Sequence, residues 1–404
     1  PLLSSFDPEW GVPLDLEKAP EYLTSTTATT LLALHNIGLL DSQLKSQFHE
    51  VIFRLRDSTP NPIAKKKSQE DLVAWDVGEG ASVWATMFAV WALLETGYGG
   101  QRLPEVTNAV VWLADQKRED GGWGFDRTCI SQTYFTCVVL HVLRLALSNL
   151  NLTPSQTSRL RWCKEEGIRF VLASAHTESV NNKKFTWWPS SERANEGDPT
   201  STLYALWALY EEDQKKFGSL VENGLLFCRT NLGSKSTWEF KMFVAETDTK
   251  YGAQKIVVSF TPSFPLILLR LGVSPLAEMC IRPIQWLREN RTASGWKLPG
   301  YADTAQSFTT ALAIWAIDTW HRHLVRETLS KADRLAMVLG PSLDTIRRRM
   351  AIITSAFVVL AVLVIERELH PVWLLVRCIE TLPNSIDKAA SIITIFGAIF
   401  ALVM

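Results

Sequence analysis

The sequence predicts an all-α protein: an α6/α6 toroid of six helical hairpins, followed by a C-terminal transmembrane helical hairpin. Three observations predict it. A Ser/Thr/Ala/Leu-rich helical segment recurs six times, at separations of roughly 40 to 70 residues, the range of two-helix repeats. Amphipathic segments with a narrower apolar stripe alternate with it. After residue 340 the composition shifts to long uncharged runs.

The recurring segment appears as Ser25 to Leu34, Ser82 to Leu94, Ser131 to Leu143, Thr200 to Leu209, Ser259 to Leu269 and Ser307 to Ile317. Small residues suit close helix packing, and apolar positions run nearly all round, as in buried inner helices. Between the copies lie Gln43 to Arg56, Val106 to Lys117, Arg159 to Ser174, Leu220 to Asn231 and Met279 to Asn290. Their charged faces read as an outer layer. Six inner helices with outer partners over residues 1–330 close a ring; an open solenoid is the rival arrangement, because spacing does not prove closure.

Residues 331–349 read as a basic linker ending in Arg347, Arg348 and Arg349. Residues 350–365 and 389–404 are uncharged spans within a 350–404 segment of two transmembrane helices. Both spans are slightly short of the roughly 20 residues of a bilayer crossing, which snorkelling by flanking Arg and Glu offsets. The triple arginine places the ring in the cytoplasm. A hydrophobic dimerisation hairpin is the other reading. No signal-peptide pattern follows Pro1, although a chain starting there suits a fragment.

The chain has 404 residues, 47% of them hydrophobic and 21% charged, which is ample for a buried core. A net charge of -1 gives no sign of a nucleic-acid-binding protein, which would normally carry a basic excess. The six cysteines, Cys129, Cys137, Cys163, Cys228, Cys280 and Cys378, form no CxxC pair, so they read as core thiols. No metal and no cofactor are expected.

The hairpin junctions carry a signature. Trp112 to Gln116 precedes Asp120-Gly-Gly-Trp-Gly124, and Gln285 to Asn290 precedes Ser294-Gly-Trp296. Weaker copies pair Phe170 and Val171 with Trp187 and Trp188, Phe227 and Cys228 with Trp238, and Phe53 and Arg54 with Trp75. An outer-helix aromatic stacked on a loop tryptophan, with a Gln amide on the loop backbone, would tie each hairpin to the next. The pattern resembles the QW repeat of squalene and other triterpene cyclases, shared more loosely with protein prenyltransferase β subunits. The resemblance covers about residues 20–320 and implies the toroid; the same clasp occurs in members with no common chemistry, so it implies function only weakly.

Triterpene cyclases use an Asp-x-Asp-Asp-Thr-Ala loop to protonate an alkene or epoxide. Here Gly300 to Ala305 keeps only Asp303, Thr304 and Ala305, with Gly300 and Ala302 where the first Asp and the proton donor would stand, so Asp303 is the one candidate acid and a cap on the Ser307 helix is its expected role. The zinc site implied by a prenyltransferase lacks its histidine. The rim where the inner helices begin would attract anions, and its loops supply Asp76, Glu79, Asp126, Arg127, Arg193, Asp198, Lys297 and Tyr301 as candidate ligand-binding residues. Trp84, Trp91, Tyr204, Trp207 and Trp315 are candidate cavity aromatics.

These features lead to the expectation of a membrane-tethered, non-catalytic ring. It would recognise a ligand or protein partner and signal to its membrane segment, as a bacterial defence or signalling effector does. Expected partners are membrane lipid, an isoprenoid or phosphate-bearing small molecule, and a second copy or other protein, without nucleic acid. The alternatives are a divergent terpenoid cyclase or prenyltransferase acting on an isoprenoid lipid, and a structural scaffold.

Overall fold

A computed structural model describes residues 2–9, 11–13, 16, 23–57, 73–75, 81–126, 129–191, 194, 196–232, 239–244, 254–259, 261–297 and 305–339. These form two compact units, one of residues 1–273 and 277–319, the other of residues 274–276 and 320–404.

In the first unit the inner elements are α1 (Thr24–Asn36), α3 (Val83–Glu95), α5 (Thr133–Asn149), the first half of α7 (Pro199–Leu232), α8 (Ser263–Arg270) and the start of α10 (Ser307–Leu339). They match the six recurring segments. The outer elements are α2 (Ser42–Asp57), α4 (Leu103–Asp115), α6 (Pro154–Ala173), the second half of α7 and α9 (Glu278–Glu289). Inner helices are buried on nearly every side; all residues from Thr24 to Leu34 are buried in α1. A threonine-rich run is a poor intrinsic helix former, so packing from all sides carries α1.

Local signals set the boundaries. Ser82 accepts a bond from Ala85 N and starts α3, while Thr153 and Gln156 form a capping box at α6 beside Pro154. Inside α7 the backbone leaves the helix at Asp213 (φ -160°), whose carboxylate accepts bonds from Lys215 N and Lys216 N at 3.0 Å each. That residue caps the outer half and turns the chain from the inner to the outer layer.

The tie between hairpins differs from the expected one. In four junctions the tryptophan indole N–H donates to a carbonyl of the preceding outer helix: Trp75 to Ile52 O at 2.7 Å, Trp123 to Leu113 O at 2.7 Å, Trp188 to Val171 O at 2.6 Å and Trp296 to Leu287 O at 2.5 Å. Three of these carbonyls belong to a helix's last four, which have no intrahelical partner. Each tryptophan's backbone N–H donates at 3.0 Å to a threonine one turn into the following inner helix: Thr86, Thr136, Thr202 and Thr310. A fifth copy, without tryptophan, joins Val12 N to Thr27 Oγ1 at 3.1 Å.

The first unit closes on itself. Leu16 N donates to Ala305 O at 3.0 Å and Ser307 Oγ donates to Pro13 O at 2.5 Å, which joins the chain before α1 to the start of α10. These bonds disfavour the open-solenoid arrangement.

Two β-hairpins correct the all-α expectation. β1 (His176–Val180) pairs with β2 (Lys183–Trp187), and β3 (Glu239–Val244) with β4 (Gln254–Ser259), both antiparallel. Each interrupts a connection into an inner helix. The first turns through Asn181 and Asn182, both at positive φ, the geometry of a two-residue turn whose twist matches that of strands. The second occupies the beginning of the Ser259 to Leu269 segment, so the fifth inner helix starts only at Ser263.

In the second unit Trp320 Nε1 donates to Pro275 O at 2.8 Å, and Ser274 Oγ donates to Glu327 at 2.8 Å. α10 stays helical through Leu339, across the start of the expected linker. Among the described residues no helix is long and apolar enough to cross a membrane; the 350–365 and 389–404 spans lie outside those residues.

Candidate functional site

Inside the first unit the inner helices surround a cavity of about 40 Å³. Its lining falls into two layers along the inner helices. One contains Phe88, Tyr134, Tyr204, Ser263 and Phe308, with Thr29 and Leu32 from α1. The other contains Trp91, Trp207, Arg270 and Trp315, nearer the helix C-termini, with Leu266, Ile267 and Leu312 between the two. Ser263 and Arg270 lie seven residues apart on α8, about 10 Å at helical rise.

The tryptophan layer is a box. Trp91 lies 6.0 Å from Trp207 and 6.3 Å from Trp315 between ring centroids, and the Arg270 guanidinium lies 5.4 Å from the centre of Trp207. In the other layer the Tyr134 and Tyr204 rings meet edge-on at 4.6 Å, and the Tyr204 hydroxyl hydrogen-bonds both Tyr134 and Ser263. Burial raises both phenols, Tyr204 to about 12, so both remain protonated. Three buried polar atoms of the lining, Trp91 Nε1, Trp207 Nε1 and Thr29 Oγ1, have no hydrogen-bond partner within bonding geometry.

Behind the box sits a charged cluster. The His141 ring lies 4.8 Å from Trp91 and 4.6 Å from Trp207. Its Nδ1 faces Glu211 Oε2 at 3.3 Å and Arg144 Nη2 at 2.6 Å, and Arg144 also pairs directly with Glu211. Burial lowers the His141 imidazole to about 4, against the pull of Glu211. Burial raises the Glu211 carboxyl, but bonds and charges from His141 and Arg144 outweigh it and hold the group at about 2. The cluster is therefore Glu211⁻, Arg144⁺, Arg270⁺ and a neutral His141 near neutrality.

Of the residues singled out in the sequence, Trp91, Tyr204, Trp207 and Trp315 line this cavity. Trp84 lies beside it, 4.8 Å from Phe88 and 5.8 Å from Phe308. Asp126 accepts a bond from Cys129 N at 3.1 Å in its own loop. Asp198 caps α7 by accepting from Ser201 N at 2.6 Å, and burial raises its carboxyl to about 6 despite bonds from Ser201 and Thr200. Lys297 pairs by its backbone with Ala305. Asp76, Glu79, Arg127, Arg193, Tyr301 and Asp303 lie outside the described residues. Arg270, Ser263, Tyr134 and His141 were missed. Arg270 had one signal: it is the charge that ends the apolar run Phe264 to Leu269. Among the described residues no group of His, Cys, Asp or Glu could hold a metal ion.

No protein family's sequence profile matches the chain, and no curated protein does. Solved structures do. A glycosidase matches with a TM-score of 0.53 at 12% identity, over 80% of this chain and 94% of its own. A glycosidase variant in complex with glucose matches with a TM-score of 0.51 at 11% identity, over 79% and 93%. A type II terpene cyclase, MstE from Scytonema, matches over 73% and 88% at 15% identity, with a TM-score of 0.39, too low to carry an argument. At these identities the likeness shows the fold alone.

The expectation of a non-catalytic signalling ring is corrected here. The solved structures that share this architecture over nearly their whole length are glycosidases, so the fold gives no support to a non-catalytic ring.

Proposed function

We propose that this chain is a catalytic α6/α6 toroid whose central cavity takes an isoprenoid-type substrate, as a divergent terpenoid cyclase or prenyltransferase. The observation that carries the reading is the chemistry of the lining. A glycosidase, in the usual two-carboxylate mechanism, needs a pair of Asp or Glu side chains flanking the bond that breaks. Among the described residues lining this cavity none is Asp or Glu, whereas Trp, Tyr and Phe rings from α3, α5, α7 and α10 face it. Aromatic faces attract positive charge, which suits carbocations formed from an isoprenoid chain, and the same rings exclude water that would quench them.

A cavity of about 40 Å³ has room for only a few water molecules. Entry of a prenyl chain therefore requires displacement of lining side chains, among them Phe88 and Phe308, which meet in edge contact at 5.7 Å. Asp303 is the carboxylate in a family-like position and Asp198 is a described carboxyl that burial raises to about 6, so both belong in the test.

The test incubates full-length protein with squalene, oxidosqualene, prenyl diphosphates and, as a contrast, aryl glycosides, with products identified by mass spectrometry. The reading expects a cyclised or transferred isoprenoid, lost in Trp91→Ala and in one of Asp303→Asn or Asp198→Asn. Glycoside turnover without isoprenoid turnover would sink it.

A further inference from the structure

We propose that the tryptophan layer of the cavity is an anion-head subsite: Arg270 seats a carboxylate or phosphate group, and Trp91, Trp207 and Trp315 enclose the apolar carbon next to it. The inference deepens the isoprenoid reading and rests on it, since that reading supplies the apolar body of the ligand.

Three observations point there. Arg270 is the charged residue in the lining, and its side chain is one-third exposed, so it reaches both cavity and solvent. Its carboxylate neighbour is already engaged, because Glu211 lies 4.0 Å from Arg270 while pairing directly with Arg144 and facing His141. With His141 neutral, two guanidinium groups face one carboxylate and a positive charge is left over. The C-terminal ends of α8 and of the first half of α7 place partial negative charge nearby, so the attraction for an anion is carried by directed N–H pairing from Arg270.

The second observation is Trp91. Its indole N–H is buried without a partner, a costly state unless a ligand acceptor completes it. Thr29 Oγ1, also lining the cavity, is in the same state. The third is geometry. The guanidinium lies 5.4 Å from the centre of the Trp207 ring, at the tryptophan layer, and a guanidinium's paired N–H groups suit bidentate pairing with an oxyanion. This site lies toward the C-terminal ends of the inner helices, whereas the loop rim considered in the sequence lies at their N-terminal ends. It differs from an anion site made by helix N-termini.

Calorimetric titration of the full chain with farnesol, farnesoic acid and farnesyl monophosphate tests the subsite. Both anions should bind at least tenfold more tightly than the alcohol, and the stronger of the two identifies the head group. Arg270→Gln should bring both anions to the affinity of the alcohol while leaving the alcohol within twofold, and Arg270→Lys should recover part of the loss. Equal binding of all three by the native chain, or an unchanged anion affinity in Arg270→Gln, overturns the subsite while leaving the isoprenoid reading intact. Absence of binding by all three overturns both. If Arg270→Gln does not fold, ionic strength decides: anion affinity should fall several-fold from low to physiological salt, and a salt-independent affinity overturns the proposal.

Discussion

At the scale of single residues, the repeated tie between hairpins rests on a threonine that carries no charge and belongs to no obvious motif. Thr136 Oγ1 accepts from Trp123 N and donates to Gln132 O at 2.9 Å, so one hydroxyl serves two backbone groups. Thr136→Val keeps the shape and strands the Trp123 N–H in a fully buried site, which should cost about 1–3 kcal/mol, whereas Thr136→Ser should cost under about 1 kcal/mol. Chemical denaturation of the pair checks this. Trp123 is itself 0% exposed, and Trp123→Ala should cost about 3–5 kcal/mol. The tryptophans were legible because they sit in Gly-rich loops after an outer helix; their threonine partners were hidden among many threonines of the inner helices. Titration acts at this scale too. Burial lowers His49 and His141 to about 4, below the ordinary 6.5, so both are neutral in the folded chain and take up protons on unfolding. Their contribution is fully present above about pH 6.5 and is lost as pH falls toward 4, up to about 2–3 kcal/mol for each. Asp198 acts in the opposite sense, because its raised carboxyl favours the folded state as pH falls below 6. Thermal melts should still fall between pH 6.5 and 4.5, and His141→Asn should flatten that slope.

At the scale of elements, the alternation of helices was legible because inner and outer segments bury different fractions of their surface. A segment apolar all round and a segment with one stripe cannot exchange places. The β-hairpins were not legible: β1 is exposed along its whole length and shows no inward alternation, so its pattern reads as a polar loop. Packing between layers depends on glycines that composition alone does not single out. On α6, a Cβ at Gly167 would come within 2.8 Å of both Leu140 and Trp123, and on α7 one at Gly224 would come within 2.6 Å of Leu206. In both cases an outer helix approaches an inner leucine at a distance only hydrogen permits. Gly167→Ala gains about 1 kcal/mol of helix propensity and loses more to overpacking, so a net destabilisation of about 1–2 kcal/mol is expected. The double variant Gly167→Ala with Leu140→Ala should recover part of the loss, which equilibrium unfolding of the three variants measures. An unchanged or raised stability in the single variant would show that α6 shifts outward freely.

At the scale of the whole molecule, closure and chemistry separate. Closure follows from a repeat that meets itself at Pro13, Leu16, Ala305 and Ser307, and the repeat count made it legible. The cavity was legible only in its aromatic residues, because the positions that give it polarity come from α5 and α8, and no local motif links Tyr134 to Ser263 or His141 to Arg270. An isoprenoid substrate also bears on the C-terminal segment. Such chains partition into bilayers, and an enzyme acting on them gains by being held at the surface that supplies them. We therefore propose that residues 350–404, with their two uncharged spans after Arg347, Arg348 and Arg349, attach the chain to a membrane. Removing residues 350–404 should release the protein from the membrane pellet into a high-speed supernatant without detergent. It should lower turnover of membrane-embedded substrate while leaving turnover of a dispersed short-chain substrate within about threefold, since the described cavity-lining residues run from Thr29 to Trp315. Recovery of the full-length chain in the supernatant would remove the membrane role, and loss of both activities on truncation would show instead that the segment is needed for the ring to fold.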